Sequence, residues 1–334
     1  MNWLPLCFGR RNYHILFLIV PLSVLVIANV FFEYSLEPSE GSRECVKDLF
    51  ASISLDPSTL SAVGELGARY LWLASCIALT VTSVASIAVS WMTIRTCLPR
   101  GRFTFATLLA LATATGQLAY LQVFPTTHKC VNFDLTLEIL RRSSRFSDAF
   151  LDQQIQHIAY FVVAVSTVAA IFLLVAATST VGPPRMTSNT DTERAGIHMA
   201  HLRNVLYIGS VMLITGVINM GAWMRWPTAL FPAGDANEII GMALGVTTFW
   251  GATFTLTAIA AYVPPALYLR TVALEAFRQD NPNKSLAEQE DWLKVHGLTI
   301  SPGSQLVPIA AMAGPLIASP LGALLNHVVK QLAE

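Results

Sequence analysis

The chain has 334 residues, 54% of them hydrophobic and only 13% charged, with 21 basic residues set against 21 acidic ones. A soluble domain carries about 25% charge, so the composition excludes an ordinary water-soluble fold, and the even balance gives no basis for nucleic-acid binding. The charges are also segregated, because Asn12–Phe32, Tyr70–Ile94, Phe103–His128, Gln153–Pro184, Asn204–Met224 and Ile239–Leu269 contain no Asp, Glu, Lys or Arg.

Each stretch exceeds the roughly 20 residues that cross a ~30 Å hydrocarbon core. Lipid offers the backbone no water to bond, so each crossing must be a helix. The expected fold is therefore all-α: a polytopic membrane protein, with a six-transmembrane-helix bundle over residues 1–270. Its helices are placed at about 12–32, 70–94, 103–125, 156–182, 204–225 and 239–269, with loops 33–69 and 126–155 on the outer side. Residues 271–334 are expected as a helical tail in the cytoplasm or the interface.

Sidedness comes from the loops. With the N-terminus inside, thirteen of the 21 basic residues fall on the inner side, Arg10, Arg11, Arg95, Arg100, Arg102 and Arg270 among them. The positive-inside rule then favours N-in, C-in. The expected location is a cell membrane, of the bacterial inner-membrane kind. Arg10-Arg11 precedes a run that continues through Phe31 and Phe32 without a small-x-small cleavage site, so the first helix reads as a signal anchor. Trp72, Trp91, Trp223 and Trp226 fall near helix ends and are expected as an interfacial belt.

Both outer loops carry a cysteine, Cys45 and Cys130, and a disulfide between them is the expected clamp. The spacing of Phe133, Leu135, Leu137, Ile139 and Leu140 in the second loop predicts a small helical cap. Cys7, Cys76 and Cys97 read as inert small hydrophobes.

Inside the bundle the missing charges are themselves informative. Proton pumps, ion-coupled transporters and voltage sensors keep ionisable groups in the bilayer, and none is present in these stretches. His14 and His157 lie on opposite sides, so they do not form a haem pair. Neutral polar residues do occur at depth. Most are expected to bond between helices, while Gln117, Asn219, Asn29 and Thr248 are the candidates to line a water-filled path, a lipid-facing carboxamide being costly. Ala112–Gly116 and Gly241–Gly245 have the spacing of close helix packing. Pro264-Pro265 marks a kink that can serve as a hinge.

Thr190–Glu193 resembles a capping box opening a helix that carries His198 and His201; without a third ligand the pair reads as a solvated face, not a metal site. Ser285–Glu288 is a second capping box, and Gly297 is the expected stop of its helix. Gln305–Asn326 is apolar but broken by Pro308, Pro315 and Pro320, which argues for a packed or interfacial segment over a seventh crossing. No phosphate-binding glycine loop, nucleophile elbow, HExxH or paired-Asp motif occurs, so no catalytic residue, metal or cofactor is assigned. The expected function is a non-enzymatic, oligomeric pore or channel-like effector for ions or small solutes. The alternatives are an accessory or scaffold subunit that recruits membrane-complex partners through the cap and tail, and a passive carrier for an uncharged solute.

Overall fold

The structure, a computed structural model, describes residues 13–34, 62–123, 129–143, 145–181, 191–231, 236–281, 285–295, 298 and 306–319. Among these residues every regular element is helical. The helices are α1 (Tyr13–Glu33), α2 (Ala62–Cys97), α3 (Arg100–Val123), α4 (Leu135–Arg142), α5 (Gln156–Ser179), α6 (Asp191–Arg225), α7 (Ala236–Asp280) and α8 (Leu286–Val295), followed by α9 (Leu306–Ser319). Wide π-type turns, Cys130–Asp134 and Phe150–Ile155, lead into α4 and α5, and a tight 3₁₀ turn, Trp226–Leu230, closes α6.

Five helical segments, Gly64–Cys97, Arg100–Tyr120, Phe150–Ser179, Arg194–Leu230 and Ala236–Gln279, are long and apolar enough to cross a membrane. α1 adds a shorter apolar stretch, Phe17–Glu33, so the sequence-based count of six becomes five clear candidates and one short one. The helices also outrun the charge-free stretches. α2 begins at Ala62, α6 at Asp191, and α7 continues to Asp280. Freedom from charge measures only the part of a helix suited to lipid; Arg and Glu are good helix formers and carry the same helix onward. At 45 residues, α7 is about 68 Å long, more than twice the hydrocarbon thickness.

The core is built by α2, α5, α6 and α7. α2 packs against α5 and α6, and α6 packs along α7. α1 lies on α7 and α5, whereas α3 rests chiefly on α5. Small polar side chains let the backbones close up: Ser83, Ser86 and Ser90 on α2 are each 0% exposed, and Thr82 and Thr215 join α2 to α6 through a hydroxyl pair at 2.9 Å. Such contacts replace the hydrophobic driving force that lipid does not supply.

The bundle has two distinct ends. Trp72, Trp223 and Trp226 mark one. They are 2%, 4% and 0% exposed, so they form a buried cluster and not the expected interfacial belt. Trp72 stacks on Trp226 at 5.3 Å, and Phe133 stacks on Trp223 at the same centroid distance. At the other end His198 is buried and bonds the Thr180 carbonyl through Nδ1 at 2.6 Å. That bond ties the start of α6 to the end of α5, so His198 is a packing residue and not part of a solvated face.

The capping box at Ser285 forms as expected. Ser285 N–H donates to Glu288 Oε2 at 2.8 Å, and Glu288 N–H donates to Ser285 Oγ at 3.4 Å, satisfying two donors reciprocally. α8 then docks on the last turns of α7, with Trp292 against Phe277 at 4.9 Å. Leu298 N–H reaches back to Leu293 O at 2.8 Å, the six-to-one closure of a Schellman end; Gly297 lies outside the described residues.

α9 runs along the spans and not apart from them. Ser319 Oγ sits 3.0 Å from Thr247 Oγ1 and 2.9 Å from Thr248 Oγ1, while a Cβ built on Gly251 would meet Pro315 O at 2.7 Å. Contacts that pair 247 with 319 and 251 with 315 make α9 antiparallel to α7. On its other flank a Cβ at Gly314 would meet Ile214 Cδ1 at 2.5 Å, which places α9 in the seam between α6 and α7. Its fourteen described residues rise about 21 Å along that seam.

Candidate functional site

The polar residues singled out from the sequence do not converge. Asn219 donates through Nδ2 to Ser75 Oγ at 2.9 Å and lies 3.2 Å from Cys76 Sγ, so its carboxamide clamps α6 to α2. Asn29 turns back onto its own helix, donating to Leu25 O at 2.8 Å. Thr248 joins α7 to α9. Gln117 is exposed on α3. The four candidates thus lie in separate settings: the α6–α2 contact, α1 itself, the α7–α9 contact and the open face of α3.

The small-residue pairs behave in the same way. Cβ atoms built on Gly116, Gly241 and Gly245 would meet nothing within 4 Å, and Ala112 is exposed. The close approaches are made by Gly251 and Gly314 instead. The faces that carry Ala112–Gly116 and Gly241–Gly245 are open within one chain, and lipid-facing and protein-facing positions are equally apolar in sequence. Pro264 and Pro265 lie inside α7, which continues as a helix to Asp280. Cys76 and Cys97 are both buried; Cys130 is buried as well, and its expected partner Cys45 lies outside the described residues. Among the described residues no cluster of His, Cys, Asp and Glu is arranged to hold a metal.

The densest polar chemistry sits at the tryptophan end, around two residues the sequence reading passed over. Glu65, in the first turn of α2, is 2% exposed. It is held by Arg69 Nη2 at 2.8 Å and by the Trp226 indole N–H, which donates to Oε1 at 3.0 Å. A buried carboxylate survives only when paired and bonded in this way. The Arg69 guanidinium also lies over two ring faces, 5.5 Å from the centroid of Phe146 and 5.6 Å from that of Phe150, within cation–π range.

Beside this cluster opens a cavity of about 430 Å³, lined by Glu65, Arg69, Arg145, Phe146, Ser147 and Phe150. Phe150 opens one of the π-type turns, a distortion that recurs at functional sites. Ser147 fixes the approach to that turn by accepting from Phe150 N–H at 3.2 Å. Arg69 Nε and Arg145 Nη1 are buried without a hydrogen-bond partner, as are Arg225 Nε and Nη2 next to Trp226 in the chain. Nearby, burial holds the Asp134 carboxyl above the usual carboxylate range, with Lys129 and Arg141 drawing it partly back.

A sequence signal for this site did exist. Glu65 and Arg69 have the i, i+4 spacing of a helical ion pair, and Trp223 and Trp226 share a helix face. What joins them is a bond across 161 positions of sequence, which no local pattern encodes. Comparison with known proteins finds no matching family model, no matching curated protein and no matching solved structure.

Proposed function

We propose that the protein acts as a membrane-embedded oligomer, non-enzymatic and channel-like, in which α3 helices of neighbouring copies face one another and pass ions or small solutes. The observation that carries this reading is an inversion on α3. Of the five candidate spans it is the least apolar, and at 17% it is also the least buried. A span with Thr113 and Gln117 on its open surface belongs against protein, because hydrocarbon cannot bond a carboxamide. At 100° per residue, Ala112, Thr113, Gly116 and Gln117 share one arc of α3, so a small, close-approach surface lies beside the polar one. The close packing of α2, with Ser83, Ser86 and Ser90 at 0% exposure, favours a path between copies over one through a single bundle. The reading retains six crossings with α1 included, N-in and C-in sidedness, a cell-membrane location and a Cys45–Cys130 clamp on the outer side.

Mass photometry of the detergent-solubilised protein, coupled to ion flux in liposomes, tests it. The wild-type protein is expected as a homo-oligomer that conducts. Gly116→Ile fills open space in the monomer, so it should leave thermal stability intact while abolishing both assembly and flux. A silent monomer overturns the reading. If that monomer is isolated with another membrane protein against α3, the accessory-subunit function takes its place.

A further inference from the structure

We infer that the cavity at the tryptophan end is a binding site for a small oxyanion, a phosphate or carboxylate, carried on an apolar body. Two guanidinium groups face a single carboxylate there, and that carboxylate is already spent: Glu65 bonds Arg69 and the Trp226 indole. Arg69 Nε and Arg145 Nη1 are left buried without an acceptor. Buried donors without a partner are rare and costly, and they call for an acceptor that the described residues do not supply. A negatively charged group in the cavity balances the surplus positive charge of the two lining arginines and offers them an acceptor. Among the described lining residues a cation would find one anionic side chain, Glu65, and that one is occupied.

The rest of the wall selects the body of the ligand. Phe146 and Phe150 stack at 5.7 Å and 17°, presenting aromatic surface beside the arginines. About 430 Å³ is in the range of small-molecule sites, roughly 300–1,000 Å³, and too small for a macromolecular segment. The ligand is thus an anionic amphiphile, drawn either from the bilayer as a phospholipid head or from solution. The site needs only one chain, so it stands whether or not the oligomer reading does.

Intrinsic tryptophan fluorescence tests the site, since Trp226 bonds the carboxylate that borders the cavity. The protein in neutral detergent is titrated with octyl phosphate, octanoate, octylammonium, octanol and inorganic phosphate. Saturable binding of octyl phosphate or octanoate is expected, with octylammonium and octanol inactive and inorganic phosphate much weaker. Arg145→Gln should weaken binding roughly tenfold or more, the usual effect of losing a charge-assisted bond. Ser147→Asp guards against a folding artefact: it keeps an acceptor for Phe150 N–H while placing a carboxylate at the rim, and it too should weaken anions with thermal stability unchanged. Nanodiscs of phosphatidylglycerol against phosphatidylcholine then assign the source. A response to phosphatidylglycerol that octyl phosphate competes away points to a lipid head, and a response in detergent alone points to a soluble amphiphile. Equal binding of anionic and cationic probes, or anion binding untouched by both variants, overturns the inference.

Discussion

Replacing Gly251 by alanine should lift α9 off α7. The added Cβ would lie 2.7 Å from Pro315 O and 3.3 Å from both Leu316 Cα and Pro315 C. All three are backbone atoms, so no flexible side-chain tip can swing aside, and Pro315 already limits how α9 can adjust. Overpacking of this kind costs about 1–3 kcal/mol, which shifts the balance between docked and undocked α9 by roughly 5–150-fold. As the helix separates, the Ser319 contacts to Thr247 and Thr248 are weakened as well. Hydrogen exchange measured peptide by peptide in detergent reads the result: faster exchange over residues 306–319, with α2 and α5 unchanged. Gly245→Ala on the same helix is the control, because its Cβ meets nothing within 4 Å and its exchange should match wild type. Unaltered protection of 306–319 in Gly251→Ala would refute the docking geometry.

Three further expectations follow from bonds at the two ends. Trp226→Phe keeps the ring but removes the indole donor to Glu65; a hydrogen bond to a buried charge contributes about 1.5–3 kcal/mol, and denaturant titration should show a loss of that size, with a change under 0.5 kcal/mol, roughly the size of a neutral surface substitution, counting against the bond. Ser285→Ala removes the hydroxyl half of the cap of α8 and leaves the bond from its backbone N–H to Glu288, at a cost of about 1 kcal/mol, and should raise exchange in residues 286–295 alone. Asp134 has its folded pKa raised by burial. The folded state therefore holds its proton more tightly than the unfolded chain, and stability falls as pH rises from the ordinary carboxylate value toward the raised one. Asp134→Asn should then increase Tm at pH 8 but not at pH 4, and an equal effect at both would refute the assignment.

The parts legible in sequence were those governed by local chemistry. Absence of charge located the apolar part of every long helix, and the Ser285–Glu288 spacing gave a cap that forms with the expected bonds. The parts that were not legible depend on which apolar face meets protein and which meets lipid. Both environments accept Leu, Ala and Gly alike, so Gly116 and Gly251 look equivalent in sequence although only Gly251 is in contact. Tryptophan near a helix end carries the same ambiguity. Trp91 is 39% exposed while Trp226 is 0% exposed, and the difference lies in Glu65, a partner on another helix. Asn219 was recognised as needing a bond, yet its clasp on Ser75 spans 144 positions, beyond the reach of any helical or strand period.

The placement of α9 also dictates an order of construction. With Pro308 and Pro315 in its described part, it is poorly suited to be threaded through a bilayer on its own merits. Its hydroxyl and glycine contacts exist only once α6 and α7 stand side by side, so those two helices must act as the template on which it settles. Until then the strip of α7 around Thr247 and Gly251 is an uncovered seam, at which a half-made molecule can be told from a finished one.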